Sequence, residues 1–219
     1  MFDLSKFERI LFPPPQVQVD KLLRVHGYRK NHKIKPVVRE AANQAVIRLK
    51  ENSSPQGFFF LEEIECHKED ILLLKSGIEF KCRVFEEMLA NTTHLISFII
   101  SLGQDIDKEI KKFSKNQREP LASFFMETAG RLSLELILRE SRVKIIEYTT
   151  KNGMKLGNRM APGYSYPVKS TGQRVMWDLE QQFNLFNIFN NLDLPVELIE
   201  GSVMLPRMSR SGIFGIRKL

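Results

Sequence analysis

The longest helical pattern in the chain begins at Pro120 and runs to about Tyr148. Proline suits the first turn of a helix, where its missing N–H is not needed. Apolar side chains recur through the segment at helical spacing, at Leu121, Phe124, Phe125, Ala129, Leu132, Leu136, Ile137, Val143 and Ile146. An amphipathic helix must bury its apolar face, so we expect this one to form the backbone of the core.

The stretch from His94 to Leu102 is almost continuously apolar, which is typical of a strand that is buried on both faces. It is far shorter than the roughly 20 residues that a membrane-spanning helix needs. Gly103 ends the strand, and a helix follows that is capped near Gln104 or Asp105. We therefore predict a β-turn-α unit and no transmembrane span.

The N-terminal part of the chain is predicted to be an arm followed by two helices. Residues 1–16 end in three consecutive prolines, which favour an extended entry arm. Helical patterns follow from Val19 to Gly27 and from Pro36 to Leu49, and the polar segment 52–57 then breaks the chain.

Short apolar runs between turn residues predict strands in the rest of the chain. The predicted strands are Gly57–Glu65, Asp70–Leu74, Ile78–Lys81, Pro195–Glu200, Val203–Leu205 and Ser211–Ile216. Helices are predicted at Phe85–Ala90 and Gln173–Asn190, and residues 151–172 are predicted to form a loop. No linker or repeat divides the chain, so we expect one α+β domain over residues 17–219.

The charge is basic but spread along the chain. Thirty-three Lys and Arg residues face 26 Asp and Glu residues, for a net charge of +7. Acids and bases are interleaved, so nucleic-acid binding ranks last among the functions considered. Only the C-terminal stretch carries charges of a single sign. Its basic residues Arg207, Arg210, Arg217 and Lys218 have no acidic residue among them, and they suit an acidic partner. The N-terminus does not have the pattern of a leader peptide, and we expect a cytoplasmic protein with no membrane association.

The common signatures of catalytic and cofactor sites do not occur in the sequence. There is no Gly-rich phosphate loop, dinucleotide fingerprint, nucleophile elbow or paired metal-binding histidine motif. The four histidines are scattered, at His26, His32, His67 and His94. We expect no metal site and no catalytic nucleophile.

The segment Arg159-Met160-Ala161-Pro162-Gly163-Tyr164 is the strongest candidate for binding. An arginine can hold a carboxylate through two parallel hydrogen bonds, a Pro-Gly turn lets a ligand approach the backbone, and tyrosine adds a flat ring. Such a segment suits a zwitterionic or planar ligand. An ordinary Pro-Gly turn beside a surface arginine is the alternative.

The order of four motifs resembles that of the activation (reactivation) domain of cobalamin-dependent methionine synthase. The first is the helix from Val19 that ends in Gly27-Tyr28, and the second is the junction Leu102–Asp107. The third is Glu127–Glu135, in which Gly130 precedes Glu135 by five residues. The fourth runs from Arg159 to Tyr164 and is followed by Trp177, Met204-Leu205-Pro206 and Ser209-Arg210-Ser211-Gly212. The resemblance covers roughly Val17–Ile216.

This resemblance implies a fold with a twisted antiparallel sheet and flanking helices, and a site for S-adenosylmethionine. Arg159 would hold the ligand's carboxylate, and Ala161, Gly163 and Tyr164 would line the ligand. Glu135 would face its ammonium or sulfonium group, although a glutamate that is only solvated, or one that pairs with Arg139, is the alternative. Cobalamin would be held by another protein.

The resemblance therefore favours a stand-alone reactivation module that supports reductive remethylation of cob(II)alamin on a corrinoid enzyme. A flavodoxin-like protein is the expected electron donor. The family's flanking ligand-binding segments are not evident at either end, which favours a more open site. The alternative function is a structural or binding module of the same fold that interacts with a corrinoid protein and has lost the ligand.

Overall fold

The computed structural model describes residues 7–28, 33–115 and 120–218. The strands are β1 Phe7–Leu11, β2 Gln56–Lys68, β3 Ile71–Leu74, β4 Glu79–Lys81, β5 His94–Ser101, β6 Met154–Met160, β7 Ser165–Pro167, β8 Arg174–Met176, β9 Glu197–Ile199, β10 Val203–Leu205 and β11 Ser209–Lys218. The α-helices are α1 Val19–Val25, α2 Pro36–Asn52, α3 Phe85–Met88, α4 Gln104–Lys115, α5 Pro120–Lys151 and α6 Gln182–Asn187. Short 3₁₀ turns lie at Leu179–Gln181 and Glu200–Ser202.

Seven strands form the main sheet, in the order β4-β3-β2-β5-β11-β6, with β1 also paired to β2. Every neighbouring pair in this sheet is antiparallel. Two small two-stranded sheets, β7–β8 and β9–β10, lie outside it. The predicted α+β class with an antiparallel sheet and flanking helices is confirmed.

The sheet separates two apolar clusters, and alternate side chains of its strands enter each one. On β5, Ile96 and Phe98 pack with α1, α2, α4 and α5, whereas Leu95 and Ile99 pack on the opposite face with α3 and Trp177. Successive side chains of a strand point to opposite faces, so a strand covered on both sides must be apolar throughout. This explains the continuous apolar run, and the predicted unit of β5, Gly103 and α4 is confirmed.

The long helix is present as α5, but part of the apolar set predicted for its core face is wrong. Phe125, Ala129 and Ile137 are buried, together with Met126 and Ile145. Leu121, Phe124, Val143 and Ile146 are exposed instead. One stripe of the helix contacts the core, and apolar residues outside that stripe remain in solvent.

Residues 7–11 of the predicted entry arm form strand β1. Arg9 pairs with Phe58 in this strand, and Phe12 beyond it is buried in the core. The Phe12 N–H donates a hydrogen bond to the Pro55 carbonyl. Residues 1–6 of the arm lie outside the described part of the chain.

Two predicted elements around the candidate binding segment are wrong. The predicted loop at 151–172 contains strand β6, which pairs with β11 at the edge of the main sheet. Only Leu156 and Met160 of β6 are buried, so the strand carries no apolar run. The predicted helix at 173–190 is divided into β8, a 3₁₀ turn and the short helix α6. Trp177 prevents a continuous helix, because its backbone N–H and C=O pair with residues 163 and 164.

Candidate functional site

A cavity of about 420 Å³ opens between α4, α5, the turn after β6 and the start of β11. This volume lies within the usual range for small-molecule sites. Five basic side chains line it: Lys111, Arg131, Arg159, Arg207 and Arg210. Asp107 and Glu127 add two carboxylates, and Pro162, Tyr164 and Met204 are among the less polar lining residues. The cavity therefore combines an excess of positive charge with an apolar wall.

Arg159 is held in place by the backbone pairing of two strands. It lies near the end of β6, where it pairs with Phe214 of β11, and its neighbour Met160 pairs with Ile213. The Arg159 side chain is about one-third exposed. Its guanidinium Nη1 lies 3.9 Å from Glu135 Oε1, which is an ion contact too long to be a hydrogen bond.

The Ala161-Pro162 backbone is held by the hydroxyl group of Tyr166. That oxygen accepts a hydrogen bond from the Ala161 N–H at 2.7 Å and donates one to the Ala161 carbonyl at 3.2 Å. Burial raises the pKa of Tyr166 above its ordinary value, which keeps the hydroxyl protonated. The Ala161 N–H is thus already bonded, whereas the carbonyl oxygen has a second lone pair for a ligand.

Gly163 allows the turn that brings Tyr164 to the cavity. Its φ is +81°, a left-handed conformation that glycine adopts readily, and its N–H donates to the Trp177 carbonyl at 2.7 Å. A Cβ at this position would lie 2.9 Å from Leu179 Cδ1. Gly163 packs against Leu179 and does not line the cavity, whereas the half-exposed ring of Tyr164 does.

Glu135 of α5 forms an ion pair with Arg210 of β11 and does not line the cavity wall. Arg210 Nη1 donates to the same Oε1 atom that Arg159 approaches at 3.9 Å. The pairing of Glu135 with Arg139 considered as an alternative is not the one in the structure. Three charged side chains, from α5, β6 and β11, therefore meet beside the cavity.

Asp107 and Gly130 shape the wall opposite the turn. The Asp107 carboxylate of α4 accepts hydrogen bonds from the backbone N–H groups of Arg207 and Met208. This fixes the segment before β11. Gly130 of α5 leaves room for Met208, whose sulfur would lie 2.7 Å from an added Cβ.

Of the five residues that the resemblance implies for the ligand, three line this cavity: Arg159, Ala161 and Tyr164. Gly163 supports the turn, and Glu135 lies behind the arginines. Arg210, Asp107 and Tyr166 also belong to this site, although the sequence pattern does not assign them to it. Arg210 stands in the predicted basic C-terminus, but it lines this cavity and contacts Glu135, which is 75 residues away in the sequence.

The four C-terminal basic residues do not form one patch. Arg207 and Arg210 lie at the cavity, whereas Arg217 and Lys218 pair with Lys155 and Met154 at the other end of β11. At roughly 3.3 Å per residue, even the nearest members, Arg210 and Arg217, are about 23 Å apart along the strand. An acidic surface at the cavity mouth would meet Arg207 together with Lys111 and Arg131 instead.

His67 and Cys66 are adjacent on β2, and within residues 7–28, 33–115 and 120–218 no three His, Cys, Asp or Glu side chains cluster closely enough to hold a metal ion. His32 lies outside those residues. Cys66 and Cys82 are both free thiols. In the same part of the chain, no helix combines the length and the apolar character required to cross a bilayer.

The fold matches that of a known reactivation domain. No protein-family model matches the chain, and no curated protein matches it either. Among solved structures, the crystal structure of the MetH reactivation domain bound to AdoHcy superimposes with a TM-score of 0.59. The two sequences are 12% identical, and the match covers 95% of this chain and 78% of that one. The chain therefore has the reactivation-domain fold that its motifs predict.

Proposed function

We propose that this chain is an S-adenosylmethionine-binding reactivation module that supports the reductive remethylation of cob(II)alamin on a cobalamin-dependent methionine synthase. It would act in trans, within methionine biosynthesis, on a synthase or another corrinoid protein that holds the cobalamin. The observation that carries the proposal is that Arg159, Ala161 and Tyr164 line one 420 Å³ cavity in a reactivation-domain fold.

The lining residues include a partner of opposite charge for each charged group of S-adenosylmethionine. Its carboxylate suits the Arg159 guanidinium, which offers a planar set of N–H donors. Its ammonium and sulfonium groups suit a cavity that also holds the Asp107 and Glu127 carboxylates. The adenine suits the exposed ring of Tyr164. When bound, the ligand supplies the methyl group and the partner's cobalamin accepts it.

In this proposal the chain contributes binding and orientation and no nucleophile. Arg159 and the turn at 161–164 orient the ligand from a strand and a hydrogen-bonded turn, which limits its motion. The electron would come from a flavodoxin-like donor. An acidic donor surface would be attracted to the mouth of the cavity, where Arg131 and Arg207 are exposed.

Titration calorimetry with S-adenosylmethionine and S-adenosylhomocysteine tests the binding step. We expect Arg159→Ala to lower the binding affinity for both ligands by at least about tenfold, because a hydrogen-bonded charge pair is lost. Arg39→Ala is the matched control, since Arg39 forms an exposed ion pair with Asp20 on the helical side of the molecule. Wild-type affinity in Arg159→Ala would contradict the assignment of Arg159.

A reconstitution assay tests the activity in trans. A methionine synthase without its own reactivation domain, oxidised to cob(II)alamin, is mixed with a reductant, S-adenosylmethionine and this chain. We expect methylcobalamin to form only when the chain is present, and formation to decrease with Arg159→Ala. Equal formation with and without the chain would contradict the proposed function.

One observation favours the alternative, a module of the same fold that binds no ligand. Glu135 and Arg210 pair with each other, and the Ala161 N–H is bonded to Tyr166, so these groups of the site are satisfied internally. This alternative predicts no heat of binding with either nucleoside, with or without the corrinoid partner.

A further inference from the structure

Arg210 is placed to control the charge around Arg159. Arg210, Arg159 and Glu135 project from β11, β6 and α5, and both guanidinium groups approach Glu135 Oε1. Arg210 makes a hydrogen-bonded ion pair with that oxygen, whereas Arg159 remains at 3.9 Å. Glu135 therefore forms its hydrogen-bonded ion pair with Arg210, and the N–H donors of Arg159 make no hydrogen bond to Glu135.

The backbone on either side of Arg210 is held by buried contacts. The preceding Ser209 is buried, and its hydroxyl group donates to the Ser101 hydroxyl at 3.0 Å. Gly212, two residues further on, lies so close to the Met160 carbonyl and the Phe98 ring that it has no room for a side chain. Arg210 thus extends from a fixed point, at a fixed distance along the paired strands from Arg159.

Without Arg210, Glu135 would have a different closest partner. Its side chain is 40% exposed, and its Oε1 already lies within ion-pair distance of Arg159. Arginine–carboxylate pairs are frequently bidentate, and Arg159 is already close enough to Glu135 to form one. Such a pair would occupy the donors that a ligand carboxylate needs.

We propose that Arg210 is a positioning residue that holds Glu135 away from Arg159 and so keeps Arg159 available for the carboxylate of the ligand. This inference rests on the proposed function, because it assumes a carboxylate-bearing ligand in the cavity. It assigns to Arg210 an effect on affinity that operates through Glu135 and not through direct contact with the ligand.

A double-mutant cycle on Arg210 and Glu135 tests the inference. Binding of S-adenosylhomocysteine is measured for the wild type, Arg210→Met, Glu135→Gln and the double variant. We expect Arg210→Met to weaken binding about tenfold in the wild-type background, the cost of one charged hydrogen bond, and to have little effect in the Glu135→Gln background. If Arg210 contacts the ligand itself, the loss will be equal in both backgrounds, and the inference is overturned.

Arg131→Met is the matched control, because Arg131 lines the same cavity, is 70% exposed and pairs only loosely with Glu127 at 3.8 Å. It removes one positive charge from the cavity without releasing Glu135, so its effect should be smaller than that of Arg210→Met. An equal loss of affinity in the two variants would mean that Arg210 acts only through the total positive charge of the cavity, and it would overturn the inference.

5′-Methylthioadenosine, which has no carboxylate, separates the carboxylate effect from a general loss of structure. We expect its affinity to be the same for the wild type and Arg210→Met, and an equal loss for both ligands would overturn the inference. If the wild type binds S-adenosylhomocysteine and Arg210→Met binds it equally well, only the inference fails. If the wild type binds neither nucleoside, the proposed function fails, and the inference fails with it.

Discussion

Gly212 of β11 lies directly against the backbone carbonyl of Met160 on β6. A Cβ at position 212 would be 2.6 Å from the Met160 oxygen and 2.9 Å from Phe98 Cζ. The Met160 oxygen belongs to the sheet backbone and cannot move without disturbing strand pairing, and the Phe98 ring is fully buried. The close approach sets the spacing of the strands that carry Arg159 and Arg210.

Gly212→Ala should therefore destabilise the fold by more than about 2 kcal/mol, through overpacking against backbone. Chemical denaturation measures this loss. Gly77→Ala is the control, since Gly77 has a φ of +86° but no atom within 4 Å of its Cβ position. Its cost is conformational, about 1 kcal/mol. Similar losses for the two variants would show that β6 can move away from β11.

Tyr166→Phe removes the hydroxyl that holds the Ala161 backbone. The buried Ala161 N–H would lose its acceptor, which costs about 1–3 kcal/mol of unfolding free energy. Tyr164→Phe is the matched control, because its ring is half exposed and should change stability little. Urea denaturation of both variants checks the difference. A Tyr166→Phe protein as stable as Tyr164→Phe would mean that Ala161 finds another acceptor.

The elements that sequence patterns predict well are those with a local cause. Strand β5 is buried on both faces, so its apolar run is visible, and Gly103 marks its end with a φ of +91°. Helix α5 begins at the predicted Pro120 and extends three residues past the predicted end at Tyr148. The motif order also predicts the fold, which the solved reactivation domain confirms.

The parts that sequence patterns miss depend on distant partners. Strand β6 lies at the sheet edge and, among the residues that the structure describes, pairs with β11 alone, which begins about fifty residues later. Its own residues therefore carry little signal. The site is similar: Arg159 is visible in its motif, but Tyr166 matters because of its bond to Ala161. Asp107 matters because of a loop 100 residues away. Such contacts follow from topology and not from local pattern.

Glu87 of α3 holds the segment after β7 through hydrogen bonds, and these bonds should depend on pH. Its carboxylate accepts hydrogen bonds from the Ser170 hydroxyl and from the Ser170 and Lys169 N–H groups. The Ser170 hydroxyl, followed by these N–H groups, lowers the pKa of Glu87. The ionised form is thus favoured in the folded state. The stability that the ionised Glu87 carboxylate adds to the fold is present above the ordinary carboxyl pKa and is lost as pH falls through the lowered pKa.

Amide hydrogen exchange of Lys169 and Ser170 checks this expectation. Protection factors in the wild type should fall on acidification, and Glu87→Gln should show low protection at every pH. Glu86→Gln, on the exposed side of the same helix, is the control and should behave like the wild type. Protection in Glu87→Gln equal to that of the wild type would rule out the carboxylate as the anchor.

His26 should also make stability depend on pH, but here the folded state favours the neutral form of the side chain, whereas for Glu87 it favours the ionised form. Its ring packs against Phe124 and Phe125 with centroid distances of 4.4 and 5.0 Å, and burial lowers its pKa. The neutral ring is favoured in the folded state, so its contribution to stability is complete above the ordinary histidine pKa and falls as pH drops toward the lowered one.

We expect His26→Phe, which keeps an aromatic ring, to reduce the change of the unfolding free energy with pH between about pH 7.5 and pH 5. Burial also lowers the pKa of His67, so the double variant with His67→Phe should be flatter still. Urea denaturation across this range measures the slope, and a His26→Phe protein with the wild-type slope would assign the pH dependence to other groups.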